Sequence, residues 1–86
     1  MENMKWIKIE NKLPEDNEDC LITVKAGTDV GGYGNLENAV YSAIYCAPLG
    51  QMDCLPYNHF LPLDYEDVII KIDDVLAWMP YPQPYQ

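Results

Sequence analysis

The segment Cys20-Leu21-Ile22-Thr23-Val24-Lys25 commits this chain to a sheet. It is compact and β-branched, and Gly27 closes it, so Cys20, Ile22 and Val24 share one face by simple alternation. Ala39 to Cys46 alternates in the same way: Val40, Ser42, Ile44 and Cys46 point one way, and Tyr41, Ala43 and Tyr45 the other. Ala39 and Ala43 would also suit a helix. Lys5 to Glu10 reads as a short first strand, with Ile7 and Ile9 opposite Trp6 and Lys8.

The rest of the chain is set by its breakers. Thr28 to Asn38 is rich in Gly and Asn. Its Gly31-Gly32-Tyr33-Gly34 lacks the G-K-[ST] ending of a phosphate-cradling loop, so a hairpin or wide loop is expected. From Ala47 to Leu63, Pro48, Gly50, Pro56 and Pro62 exclude a helix and leave a long loop, with a short edge strand near Tyr57 to Leu61. Asp64 to Ile72 fits two readings. Its acids suit a helix N-terminus, and its β-branched run suits a strand. Asp73-Asp74 then turns the chain into a last strand, Val75 to Met79, and the alternating prolines predict an extended tail over residues 79–86. The expected fold is β-dominated α+β: one domain spanning 1–86, with long loops and at most one short helix. Its antiparallel sheet joins the N- and C-terminal strands.

Charge limits the partners. Fourteen acids face five Lys and no Arg, for a formal net charge of −9. Phosphate-binding surfaces need Lys and Arg to displace counterions, so nucleic acid, anionic membranes and nucleotide ligands are disfavoured. A basic partner is favoured. The start of the chain carries no basic-then-apolar address, and Lys71, Asp73 and Asp74 interrupt the longest apolar run. With three Cys and no secretion signal, reduced thiols in a cytoplasm are expected.

Trp6-Ile7, Leu13-Pro14-Glu15 with its acidic loop, the Leu-Ile-Thr-Val strand, and Val75-x-x-Trp78-Met79-Pro80-x-Pro82-x-Pro84 resemble the domain-of-unknown-function 551 family of small phage and prophage proteins. The resemblance is recognisable over Trp6 to Val24 and Val75 to Pro84. Where the family pattern often has His before the closing Trp this chain has Ala77, and where it has Leu between the prolines this chain has Tyr81. The resemblance implies a phage or prophage origin and a compact β-rich fold, so the cytoplasm expected from the cysteines would be that of a bacterial host. It implies no activity. The two Trp residues read as scaffold, packed on the first and last strands.

No catalytic constellation emerges. Cys46, Cys54 and His59, with Cys20 from another strand, lack the spacing of a compact zinc site. Cys46 or Cys54 with His59 would form a nucleophilic pair in a negative field that works against thiolate formation. The acids of 64–67 lack the Gly and spacing of a calcium loop. The chain is therefore read as a non-enzymatic binder with no cofactor or metal, occluding a basic surface of a host protein. A nucleic-acid enzyme held by DNA mimicry is one form of that target. A homo-oligomeric accessory protein and a small-molecule sequestering protein are the alternatives. The candidate partner-binding residues are Glu15, Asp16, Glu18 and Asp19, then Asp64, Tyr65, Glu66 and Asp67.

Overall fold

The computed structural model describes residues 5–34, 36–48 and 57–82. Eight strands follow in chain order: β1 Ile7–Lys8, β2 Asp19–Val24, β3 Asp29–Val30, β4 Tyr33–Gly34, β5 Ala39–Cys46, β6 His59–Pro62, β7 Ile70–Lys71 and β8 Val75–Pro80. Six of them form one antiparallel sheet in the order β1-β8-β2-β5-β6-β7, and β3 and β4 form a separate hairpin. The one helical element among the described residues is a 3-10 turn, Ile72–Asp74. The expected β-dominated sheet and the pairing of the two ends are both present: Ile7 lies opposite Trp78.

The inner face follows the alternation read from the sequence. Cys20, Ile22 and Val24 are fully buried, and Cys20 lies opposite Ala43 and Ile22 opposite Tyr41. Tyr45 and Phe60, opposite one another on β5 and β6, stack at 5.2 Å between centroids. Among the described residues no helix supplies the second layer that a sheet face needs. The β3–β4 hairpin buries Val30 in this core, and Ile9, Tyr65 and Val68 pack against it. At the first end of the chain, the Trp78 indole Nε1–H donates to the Lys12 carbonyl at 2.8 Å, next to buried Pro14. That bond gives the shared Leu-Pro and closing Trp a common structural purpose.

Four sequence expectations change. The first strand covers two residues rather than Lys5 to Glu10, because the chain turns at Ile9, whose amide donates to the Leu76 carbonyl. The strand expected near Tyr57 to Leu61 is β6, and it lies inside the sheet between β5 and β7. Asp64 to Ile72 is neither one helix nor one strand: a turn with Asp67 at φ +62 precedes the two-residue β7 and the 3-10 turn. Trp6 is 44% exposed, whereas Trp78 is 3% exposed, so one Trp is scaffold and the other is surface. The tail beyond Pro82 lies outside the described residues.

In β8 plain alternation would send Val75 and Trp78 to opposite faces. The β2–β8 register shifts between Thr23 and Val24, with Thr23 opposite Ala77 and Val24 opposite Val75. Leu76 is the extra residue of a bulge, and both Val75 and Trp78 enter the core.

The hairpin turns through Gly31 at φ +65 and Gly32 at φ +90, the pair of positive angles that a two-residue type I′ turn requires. A Cβ on Gly31 would stand 2.8 Å from Tyr65 Cδ1, while one on Gly32 would meet nothing within 4 Å. Gly31→Ala should therefore cost about 1–3 kcal/mol, and Gly32→Ala the smaller, strain-only part. Urea unfolding of the two variants side by side measures the difference.

Candidate functional site

The sheet's other face carries the surface chemistry. Alternation from the register sends Leu21 and Thr23 of β2, Val40, Ser42, Ile44 and Cys46 of β5, His59 and Leu61 of β6, and Ala77 and Met79 of β8 away from the core, with Lys8 of β1 and Lys71 of β7 at the two edges. Cys46, His59 and Met79 are buried there, and the rest of the face is half-buried or exposed. The ladder continues past the strand ends through Tyr81 N–H to the Asp19 carbonyl at 3.3 Å and Leu63 N–H to the Ser42 carbonyl at 2.9 Å. Tyr81 and Leu63 thus join this face, and the alternation of β1 adds Trp6. Trp6, Val40, Leu63 and Tyr81 are all exposed, at 44–56%. The face is apolar and half open. Among its described strand positions the single carboxylate is Asp19, although the chain carries fourteen acids.

The two candidate acidic clusters flank this face and do not merge. The first leads into β2 at the end where Asp19 lies opposite Ile44, and the second leaves β6 beyond the Pro62–Ala43 pair. Their members differ in employment. Asp16 Oδ1 accepts the Ala47 amide at 2.9 Å, and Glu18 Oε1 accepts the Glu15 amide at 2.9 Å. Asn17 N–H donates to the Tyr45 carbonyl and Tyr45 N–H to the Glu18 carbonyl, so this loop is stitched to the end of β5. Tyr65 is half-buried, edge-on to Tyr41 at 5.9 Å, and acts as a packing residue. Within the two clusters, Glu15, Asp19, Asp64, Glu66 and Asp67 are the exposed acids. Sequence reading missed the apolar face itself. Its signal was the apolar character of both alternating sets in β5, which only the register joins to Leu21, Leu61 and Met79 as one surface.

Among the described residues the thiol and imidazole groups are buried. Cys46 lies opposite His59 across β5 and β6, bringing together one suggested nucleophilic pair, but they are 0% and 2% exposed and offer a substrate no approach. His59 Nδ1 lies 3.0 Å from the Tyr57 carbonyl, and the Tyr57 ring stands edge-on to the imidazole at 5.8 Å. No group of three or more potential metal ligands occurs among the described residues, and Cys54 lies outside them. Burial, then the Glu18 and Asp19 carboxylates, push the Cys20 thiol from 9.0 up to about 12. Burial, then Asp16, raise the Tyr45 phenol, whose oxygen accepts from Asn58 Nδ2 at 2.7 Å.

A raised thiol pKa has a definite sign in stability. Between pH 9 and 12 the unfolded chain loses the Cys20 proton first, so stability falls as pH rises, with a slope approaching about 1.4 kcal/mol per pH unit. Below pH 9 the thiol is neutral in both states and this slope vanishes. Urea unfolding of wild type and Cys20→Ala across pH 8 to 11 should show a steeper alkaline loss in the wild type.

The fold and its surface define a small β-domain with one sealed face and one partly open, largely apolar face, flanked by acidic loops and edged by Lys8 and Lys71. No helix among the described residues is long and apolar enough to cross a membrane. The chain belongs to the family described as protein of unknown function (DUF551), whose model matches residues 5–86. The match runs through the middle of the chain, where the resemblance of the ends gave out. No curated protein and no solved structure matches the chain. Both departures from the family pattern, Ala77 and Tyr81, fall on the open face.

Proposed function

We propose that this protein is a non-enzymatic, phage- or prophage-encoded binder that uses the open face to occlude a basic surface of a host protein in the bacterial cytoplasm. The observation that carries the reading is the apolar face between two acidic flanks. Interfaces combine a desolvated apolar centre with a polar rim, and contiguous exposed apolar patches mark interaction sites. The loops that flank the face are acidic, and Lys8 and Lys71 at its two edges leave the balance negative, which selects a partner whose apolar patch is edged mainly by Lys and Arg. A nucleic-acid enzyme of the host, held as in DNA mimicry, presents such a surface, and anti-defence inhibition follows from blocking it.

Two features favour a face over an edge, and a foreign partner over a second copy. Both sheet edges are two-residue strands, and each carries a Lys, Lys8 or Lys71, which blunts edge-to-edge pairing. A two-fold dimer would bring the same patch against itself on two chains that each carry a formal net charge of −9.

A photo-crosslinking side chain at Val40, on the open face, should capture a host protein. The same group at Asp29, on the hairpin that covers the opposite face, should not. Crosslinks to a second copy from Val40 would support the homo-oligomer instead, and equal capture from both positions would refute the reading.

A further inference from the structure

Beside β6 the face opens into a groove, and its lining specifies a ligand. β7 pairs with His59 and Phe60 only, so Leu61 and Pro62 have no strand on that side, and the chain swings wide before returning. The groove left behind measures about 650 Å³ and is shallow, largely open to solvent. Leu61, Leu63, Val68 and Ile69 provide its apolar lining, with Leu63 51% and Ile69 45% exposed. Glu66 and Asp67 line it as well, both exposed, and no cationic residue does. Lys71, on the nearby β7, has its ammonium 5.7 Å from the centre of the Tyr57 ring.

The groove is preformed. Tyr65, one of its walls, is held edge-on to Tyr41 and packs against Gly31, whose missing side chain makes room for the ring. A rigid wall lowers the ordering cost of binding. An anion would meet two carboxylates, and a purely apolar ligand would desolvate them without compensation. A group that is apolar at its centre and cationic at its flanks satisfies both parts of the lining.

We propose that this groove is the anchor point for the partner, taking an apolar side chain flanked by Lys or Arg on an exposed peptide segment. The proposal rests on the binding function above and names the chemistry of its anchor. Leu61 and Leu63 belong to both the groove and the open face, so one segment can leave the groove and continue across the sheet.

The test titrates the isotopically labelled full chain with two capped tetrapeptides, Lys-Leu-Leu-Lys and Glu-Leu-Leu-Glu, and follows amide shifts by NMR. The basic peptide should shift residues 61–69 and bind at least 10-fold more tightly than the acidic one. Leu63→Ser should weaken it at least fivefold. The double variant Glu66→Gln/Asp67→Asn should erase most of the preference for the basic peptide. Asn keeps the left-handed backbone that Asp67 adopts, so this variant leaves the turn intact. Equal binding of both peptides, shifts outside the groove, or no shift at millimolar peptide would overturn the proposal. If a host protein crosslinks at Val40 while Leu63→Ser leaves its affinity unchanged, the groove assignment falls and the open-face reading stands. If nothing crosslinks there while the basic peptide fills the groove, the reverse holds.

Discussion

Trp78→Ala should leave the domain largely unfolded at 37 °C. Trp78 is 3% exposed, lies opposite both Ile7 and Ile22, and its indole holds the Lys12 carbonyl. Removing a buried Trp costs about 3–5 kcal/mol, and domains of this size have about 5–15 kcal/mol in total, with small ones at the low end. The loss has three sources: the cavity, the orphaned carbonyl, and release of the segment from Lys12 to buried Pro14 that the indole holds. Trp78→Phe restores part of the volume and none of the hydrogen bond, so it should fall between wild type and Trp78→Ala. Thermal unfolding followed by circular dichroism reads all three. A midpoint for Trp78→Ala within a few degrees of wild type would show that Trp78 is not the keystone of the first and last strands.

The other tryptophan should behave in the opposite way. Trp6 and Tyr81, at 44% and 46% exposed, stand on the open face, so Trp6→Ala/Tyr81→Ala should change stability by no more than about 1 kcal/mol. Binding should suffer heavily. Exposed Trp and Tyr are the residues most often found at energetic centres of interfaces, where truncation costs at least about 2 kcal/mol each. The double variant should therefore weaken the host complex by about 100-fold or more while remaining folded. Surface plasmon resonance against the crosslinked partner, paired with an unfolding curve, separates the two effects. Lost stability with intact binding would return Trp6 to the scaffold.

Much of the fold was legible because its strands announce themselves locally. Cys20, Ile22 and Val24 repeat with period two, and the register places them as expected. The pairing of the ends was legible through the two Trp-marked segments. Four things were not. The Leu76 bulge adds one residue to one strand and leaves no local signature, yet it decides whether Val75 is core. Tyr65 looked like an exposed aromatic among acids, and its burial depends on Gly31, some thirty residues away in sequence, lacking a side chain. The open face was hidden for a related reason. In β5, Val40 and Ile44 are as apolar as Tyr41 and Tyr45, and only the position of the hairpin shows which set is covered. The acidic clusters were visible as composition, but not that Asp16 serves the Ala47 amide.

The account depends on an apolar face read through an acidic rim, and salt tests both at once. The dissociation constant of the host complex should be measured from 50 to 500 mM NaCl for wild type and Val40→Glu. Screening shortens the Debye length from roughly 14 Å to roughly 4 Å across that range. Wild-type affinity should fall at least 10-fold, and Val40→Glu should abolish binding at every salt concentration while leaving the fold intact. A complex indifferent to both salt and the Val40 substitution would contradict the account.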